Sequence, residues 1–186
     1  AALALAQAEL GVIPEAAARE IVAKAHLSFL DLAAVREGLA RTGHPLVPLV
    51  WELDRACEGD AGGYVHWGAT TQNVTQTGQL LQVRRAHQIF LRQLAAILTT
   101  LADLAERTKD VLLPGRTHGQ HALPATFGFK VAVWIDELAR HVERLQSCES
   151  RVFVAMPGGG AGTLASLGEL GLATQERMAA HLGVAP

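Results

Sequence analysis

The sequence is poor in cysteine and in net charge, and each shortage excludes a class of protein. Its two cysteines, Cys57 and Cys148, are far apart and fit reduced thiols better than a disulfide framework. A net charge of −2 provides no basic surface for nucleic acid or an anionic membrane. No stretch reaches the roughly 18 uncharged apolar residues of a membrane span, and the start lacks the basic region of a signal peptide. We therefore expect a cytoplasmic protein that binds neither nucleic acid nor membrane.

Strand patterns are nearly absent as well, and helical patterns cover most of the 186 residues. We expect Pro14 at the first position of one helix, and Asp31 as the N-cap of a second helix that Gly43 ends. A third helix is predicted to close at Gly59, before a glycine-rich loop over 59–69. The composition is 49% hydrophobic, which is apolar for a monomer, so we also expect surface that is buried against partner chains.

Two longer patterns dominate the second half of the chain. Apolar residues recur at alternating steps of three and four over roughly 71–109, with His87 as the only polar member of this seam. After an expected loop over 110–123 the pattern restarts, with Pro124 in its first turn and His141 as its single polar member. These patterns predict two uninterrupted helices of about 39 and 28 residues, far above the usual ~11–12. We interpret both histidines as structural, either buried with hydrogen-bond partners or setting the register of an oligomer.

Such helices predict an all-α fold, a bundle of long helices packed in the coiled-coil manner. We expect a small helical N-terminal domain over 1–65 and the front half of the bundle over 66–186. The glycine run at 158–162 predicts a tight backbone turn. It has neither the preceding strand nor the following lysine of a phosphate-binding loop, and we expect no cofactor.

Two polar blocks flank the first long helix, HWGATTQN at 66–73 and GRTHGQH at 115–121. A helix of about 39 residues spans on the order of 58 Å, so the blocks are expected at opposite ends of one rod. If they serve one active site, they must come from different subunits.

The first block supplies hydroxyl, amide and imidazole groups at a helix N-terminus, which favours an anion such as a carboxylate. Plain N-capping by Thr70 or Thr71 explains part of it equally well. In the second block His118 and His121 are three residues apart, but a zinc site needs further ligands and none is near, so we expect no metal. Proton transfer by an imidazole is the better interpretation, and a loop satisfied by its own side chains is the alternative.

Together the blocks resemble the fumarase/aspartase superfamily, in the branch of adenylosuccinate lyase and the 3-carboxymuconate-lactonising enzymes. That branch has an HxGxTSxD-type block before its first long helix and an RTHxQxAxPxTFG-type block before its second. Here they read HWGATTQN and RTHGQHALPATFG. The resemblance covers the chain from about residue 11 onward.

The resemblance implies a homotetramer, active sites shared between three subunits, and anti β-elimination from a small polycarboxylate that typically releases fumarate. By position, His118 resembles the general acid that protonates the leaving group, and His121 a supporting residue. The residues that resemble substrate binders are His66, Thr70, Thr71, Asn73, Thr117 and Gln120.

Thr71 and Asn73 stand where the branch usually has Ser and Asp. The serine loop that carries the family's base is absent, so we expect an N-terminal fragment that is inactive by itself.

Segments such as GHPLVPLV resemble the lactonising members, yet those often replace the histidine that this chain keeps as His118. We favour a succinyl-type C–N or C–O lyase. The cycloisomerase reaction is the runner-up, and a helical scaffold without catalysis is the alternative from another class.

Overall fold

A computed structural model describes all 186 residues and confirms a helical protein with one very long helix. The chain divides into two compact units, one formed by residues 1–81 with 150–186 and the other by residues 82–149. The predicted division at residue 65 concerns the architecture of the whole protein and stays a prediction. The helices are α1 Ala2–Glu9, α2 Glu15–Lys24, α3 Leu32–Thr42, α4 Val47–Ala56, α5 Thr71–Arg107, α6 Phe127–Ser147, α7 Glu149–Val152 and α8 Gly171–Leu182.

The first unit is built around the alanine-rich helix α1. Alanine side chains allow helices to approach closely, and α1 packs on one side against α2 through Ala4 and Ala18. On its other side Ala6 packs against Met178 and Ala179 of α8. This helix therefore holds together segments that are far apart in the sequence.

The caps of the first helices agree largely with the sequence. Asp31 Oδ1 accepts hydrogen bonds from the backbone N–H groups of Ala33 and Ala34, at 2.8 and 3.2 Å, and so caps α3 as predicted. Gly43 ends α3 in the left-handed conformation, also as predicted. Pro14 is the N-cap of α2, one residue before the predicted position. The predicted end of the third helix at Gly59 is wrong, because α4 ends at Ala56.

Helix α5 confirms the predicted long helix almost to the residue. Its 37 residues span about 55 Å. Its apolar seam is only partly covered within this chain, since Val83, Phe90 and Ile97 are 54%, 60% and 46% exposed. By length and composition alone this helix could also cross a membrane, a test that the core helix of a soluble bundle passes as well.

The expected loop over 110–123 is wrong, because the structure has an antiparallel β-hairpin there, with strands β1 Leu112–Thr117 and β2 Gln120–Thr126. Proline has no N–H to donate to a β-ladder and is therefore uncommon in strands, but here Pro114 pairs with Pro124. A rung without hydrogen bonds tolerates two residues that lack an N–H. Pro124 consequently lies in β2 and not in the first turn of a helix.

Helix α6 begins after the hairpin, where Thr126 Oγ1 accepts a hydrogen bond from Phe129 N at 3.2 Å and caps it. The prediction of one uninterrupted second helix is wrong, because α6 ends at Ser147 and the short α7 follows Cys148. Two contacts within the second unit show that α6 runs antiparallel to α5. Gly128 N donates to Thr108 O at 2.9 Å at one end, and His87 Nε2 lies 2.8 Å from Glu149 Oε1 at the other.

The two seam histidines differ. His87 is buried with a carboxylate partner, as predicted. His141 is not buried within this chain, because its side chain is 49% exposed beside Arg144, and a role in oligomer register stays a prediction.

Candidate active site

The first candidate block begins with a histidine in a strained backbone conformation. His66 has φ 65°, in the left-handed region that a residue with a Cβ rarely adopts. Its carbonyl accepts a hydrogen bond from Ala69 N at 3.2 Å, which closes a tight turn directly before α5. The turn keeps the imidazole beside the start of that helix, where Thr70 and Thr71 are half-buried.

Burial lowers the pKa of His66 below its ordinary value of 6.5, and hydrogen bonds with the backbone of His66 and Thr70 oppose this shift. The Nε2 atom of the ring is buried and has no hydrogen-bond partner within the chain. A neutral ring with an unsatisfied nitrogen suits hydrogen bonding to a ligand better than ion pairing.

Asn73 connects the helix start to the glycine run. Its Oδ1 accepts a hydrogen bond from Gly158 N at 3.1 Å. The run forms the predicted non-helical turn, with Gly159 and Gly162 at positive φ and a hydrogen bond from Leu164 N to Gly158 O. Asn73 therefore fixes the turn at the edge of a cavity of about 320 Å³, which His66 and Gly158 also line.

The second candidate block forms the tip of the β-hairpin. Thr117 pairs with Gln120, and the two residues between them, His118 and Gly119, both have positive φ, 49° and 76°. Positive φ at both central residues is the mark of a type I′ turn, the connection that fits the twist of a two-stranded ribbon. Thr117, His118 and Gln120 are all exposed, so the imidazole stands at the end of a projecting arm.

The cross-strand neighbours behind this tip are Arg116 and His121. Arg116 Nη2 lies 3.3 Å from His121 Nε2, close to an irregularity in the ladder between Gly115 and Arg116. Since a guanidinium can only donate, the His121 nitrogen accepts this bond. His121 thus contacts the hairpin itself, which agrees with its interpretation as a supporting residue.

The predicted site residues thus form two groups. His66, Thr70, Thr71 and Asn73 belong to the first unit, and Thr117, His118 and Gln120 to the second. No three His, Cys, Asp or Glu side chains lie close enough to one another to hold a metal ion.

Sequence reasoning missed Gln7, which is 1% exposed and lines the same cavity as His66. Its only signal is a polar residue inside an otherwise apolar helix.

Comparison with known proteins assigns the family. The family model described as "Lyase" matches residues 1–185. The chain belongs to this lyase family, within the fumarase/aspartase superfamily.

Adenylosuccinate lyase of Methanothermobacter thermautotrophicus is 46% identical over 186 residues, which are all of this chain and 41% of that protein. N-acetyl-S-(2-succino)cysteine lyase of Dickeya dadantii is 43% identical over 98% of this chain and 40% of its own length. The structure of β-carboxy-cis,cis-muconate cycloisomerase from Acinetobacter calcoaceticus has a TM-score of 0.90 at 35% identity, over 99% of this chain and 44% of that one. The chain therefore spans about two fifths of the length of these relatives.

Proposed function

We propose that the protein to which this chain belongs is a lyase that catalyses anti β-elimination from a succinyl-type polycarboxylate and releases fumarate. A base removes a proton from the carbon next to a carboxylate, the carboxylate stabilises the carbanion, and the bond to the leaving heteroatom breaks. His118 donates the proton that the leaving group takes up. The base lies outside this chain, in keeping with the two fifths that the chain spans.

The observation that carries this proposal is the position of His118 in the type I′ turn. The left-handed conformation costs a residue other than glycine roughly 1–2 kcal/mol, and Asn or Gly would relieve this cost at the same position. A histidine there offers an imidazole that is exposed at the tip of an arm and supported by the Arg116–His121 contact behind it. Such a group can enter a site and transfer a proton near neutral pH.

The first-unit residues His66, Thr70, Thr71 and Asn73 supply neutral hydrogen-bonding groups for the substrate, and Thr117 and Gln120 add more beside His118. A 37-residue helix separates the two groups in the sequence, which supports a site completed by neighbouring subunits. The exposed apolar seam of α5 supports a homotetramer assembled through the long helices. We place this assembly in the cytoplasm, with no cofactor.

The names of two relatives support the substrate class, because adenylosuccinate lyase and succinocysteine lyase both name a succinyl group. The leaving atom is nitrogen or oxygen in our proposal, and the second name adds sulfur as an atom to test. The likeness to the cycloisomerase structure favours lactonisation as the second candidate. A screen of succinyl substrates by fumarate absorbance, with carboxymuconate in parallel, separates the two reactions.

The decisive variant is His118→Asn, assayed in the whole protein at the length of its relatives. Asparagine tolerates left-handed backbone, so the hairpin keeps its turn while the imidazole is lost. We expect turnover to fall by ~10²–10⁴. The matched control is His121→Gln, whose amide oxygen still accepts the hydrogen bond from Arg116 and which should keep most activity. Wild-type turnover by the His118→Asn variant would refute the role of His118 as the acid, and no turnover of any screened substrate by the wild-type protein would favour the scaffold alternative.

A further inference from the structure

The first unit contains a cavity that reaches the surface at the exposed residues Val74 and Gly78 of α5. Its volume is about 320 Å³, and its walls are mostly aliphatic side chains from α1, α4, the start of α5 and α8. No charged side chain lines it. A cavity of about 150 Å³ already accepts a benzene ring, so the space suits an aromatic or aliphatic group.

Gln7 presents an unsatisfied acceptor to this cavity. Its Nε2 donates to the carbonyl oxygen of Trp67 at 2.8 Å, and since a carbonyl can only accept, this bond fixes the orientation of the amide. The other amide atom, Oε1, is then a buried acceptor without a partner in the chain. Such an atom costs free energy until a donor reaches it.

His66 presents a second acceptor to the same cavity. The Nε2 atom of its ring is buried and has no hydrogen-bond partner within the chain. In the neutral tautomer whose single N–H is on Nδ1, this Nε2 keeps a free lone pair and can accept. Two further polar side chains of the lining are already engaged, because Asn73 accepts from Gly158 N and the Thr77 hydroxyl donates to Asn73 O.

We propose that this cavity binds a neutral, largely apolar group that carries an N–H or O–H donor, with Gln7 Oε1 and His66 Nε2 as the acceptors. In the lyase this group is the leaving-group end of the substrate, an assignment that rests on the proposed function. No charged side chain faces the cavity, so its lining offers no counter-charge to the carboxylates of a succinyl group.

Two probes of nearly equal shape test this proposal, aniline with an N–H donor and toluene without one. Calorimetric titration of each into the whole protein should show saturable binding, with aniline bound about 10-fold more tightly. Gln7→Leu keeps the approximate volume and removes the acceptor, so it should abolish most of this preference. Because this change also leaves the Trp67 carbonyl unpaired, His66→Gly serves as a second variant, since glycine tolerates the left-handed backbone of residue 66 and carries no acceptor, and it should weaken the preference as well.

A filling variant separates the cavity from other surfaces that bind aromatic molecules. A Cβ at Gly78 meets no atom within 4 Å, and Gly78 lines the cavity. Gly78→Leu should therefore keep the fold and reduce the binding of both probes by 10-fold or more. Equal affinities for aniline and toluene, no saturable binding, or an unchanged preference in both acceptor variants would each overturn the proposal.

The outcome is independent of the test on His118. A protein that loses turnover on His118→Asn but binds neither probe is a lyase whose leaving group lies elsewhere. A protein that binds aniline selectively but keeps its turnover on His118→Asn keeps the cavity site and loses the assignment of His118 as the acid.

Discussion

Gly128 lies where the hairpin meets α6, and its replacement by alanine tests how that junction holds the arm that carries His118. A Cβ at Gly128 would lie 2.5 Å from Ala105 O, 2.6 Å from Lys109 Cα and 2.8 Å from Lys109 N. Carbon atoms in favourable contact are about 3.5–4.0 Å apart, so the junction must open by about 1 Å. All three atoms belong to the backbone, and no side chain can rotate away.

The loss of folding stability can be worked out for two responses to the new Cβ, crowding without movement and movement of α6 away from α5. Crowding of a packed region costs about 1–3 kcal/mol, and contact with backbone corresponds to the upper end. If α6 moves away instead, it loses the bonds from Gly128 N to Thr108 O and from Phe127 N to Val111 O, both 2.9 Å. These two bonds are worth about 1 kcal/mol each. After the helix preference for alanine is subtracted, we expect a net destabilisation of about 2 kcal/mol.

Urea denaturation followed by circular dichroism measures this change, and Gly78→Ala is the matched control. Gly78 also lies inside a helix, but a Cβ there meets nothing within 4 Å. That control should therefore be stabilised by about 0.5–1 kcal/mol. Equal stability of Gly128→Ala and wild type, or equal effects of the two substitutions, would refute the argument from backbone contact.

Two further predictions concern the first unit. Asp31→Ala removes both hydrogen bonds of the α3 cap, so the free energy of unfolding should fall by about 1 kcal/mol in urea titrations, and an unchanged value would show that the cap is dispensable. His66 has a folded-state pKa below its unfolded value, so the unfolded chain binds the proton more tightly and stability falls as the pH drops below about 6.5. His66→Asn should flatten this dependence between pH 5 and 8, and a variant with the same slope as wild type would contradict the assignment.

The sequence was a good guide to α5 and to the cap of α3, because both follow from local rules. A seam that repeats every three and four residues persists over the whole of α5, and Asp31 only has to reach the two N–H groups beside it. The sequence of α5 could not predict that Phe90 and Ile97 are left exposed by this chain, because a helix does not encode which element packs against its face.

The β-hairpin was missed for an identifiable reason. Prolines at 114 and 124 interrupt both strands, and sequence rules treat proline as a strand breaker. Their mutual pairing depends on register, which is a property of two strands together and is fixed by the turn. The available signal was the dipeptide His118–Gly119 between two six- or seven-residue segments, a variant of the Asn-Gly and Asp-Gly pairs of type I′ turns.

The two candidate histidines share a feature that no periodicity in the sequence expresses. His66 and His118 both have left-handed backbone. His66 begins the tight turn directly before α5, and His118 is the first central residue of the hairpin turn, followed by Gly119. Their environments are opposite, since the His66 ring has a buried nitrogen and a lowered pKa while His118 is exposed. A ring held neutral suits the binding of a substrate, and a ring on a projecting arm suits proton transfer in a site that other elements complete. The shared left-handed strain singles out both positions, and the opposite environments of the two rings are the physical argument for giving them different roles in the proposed reaction.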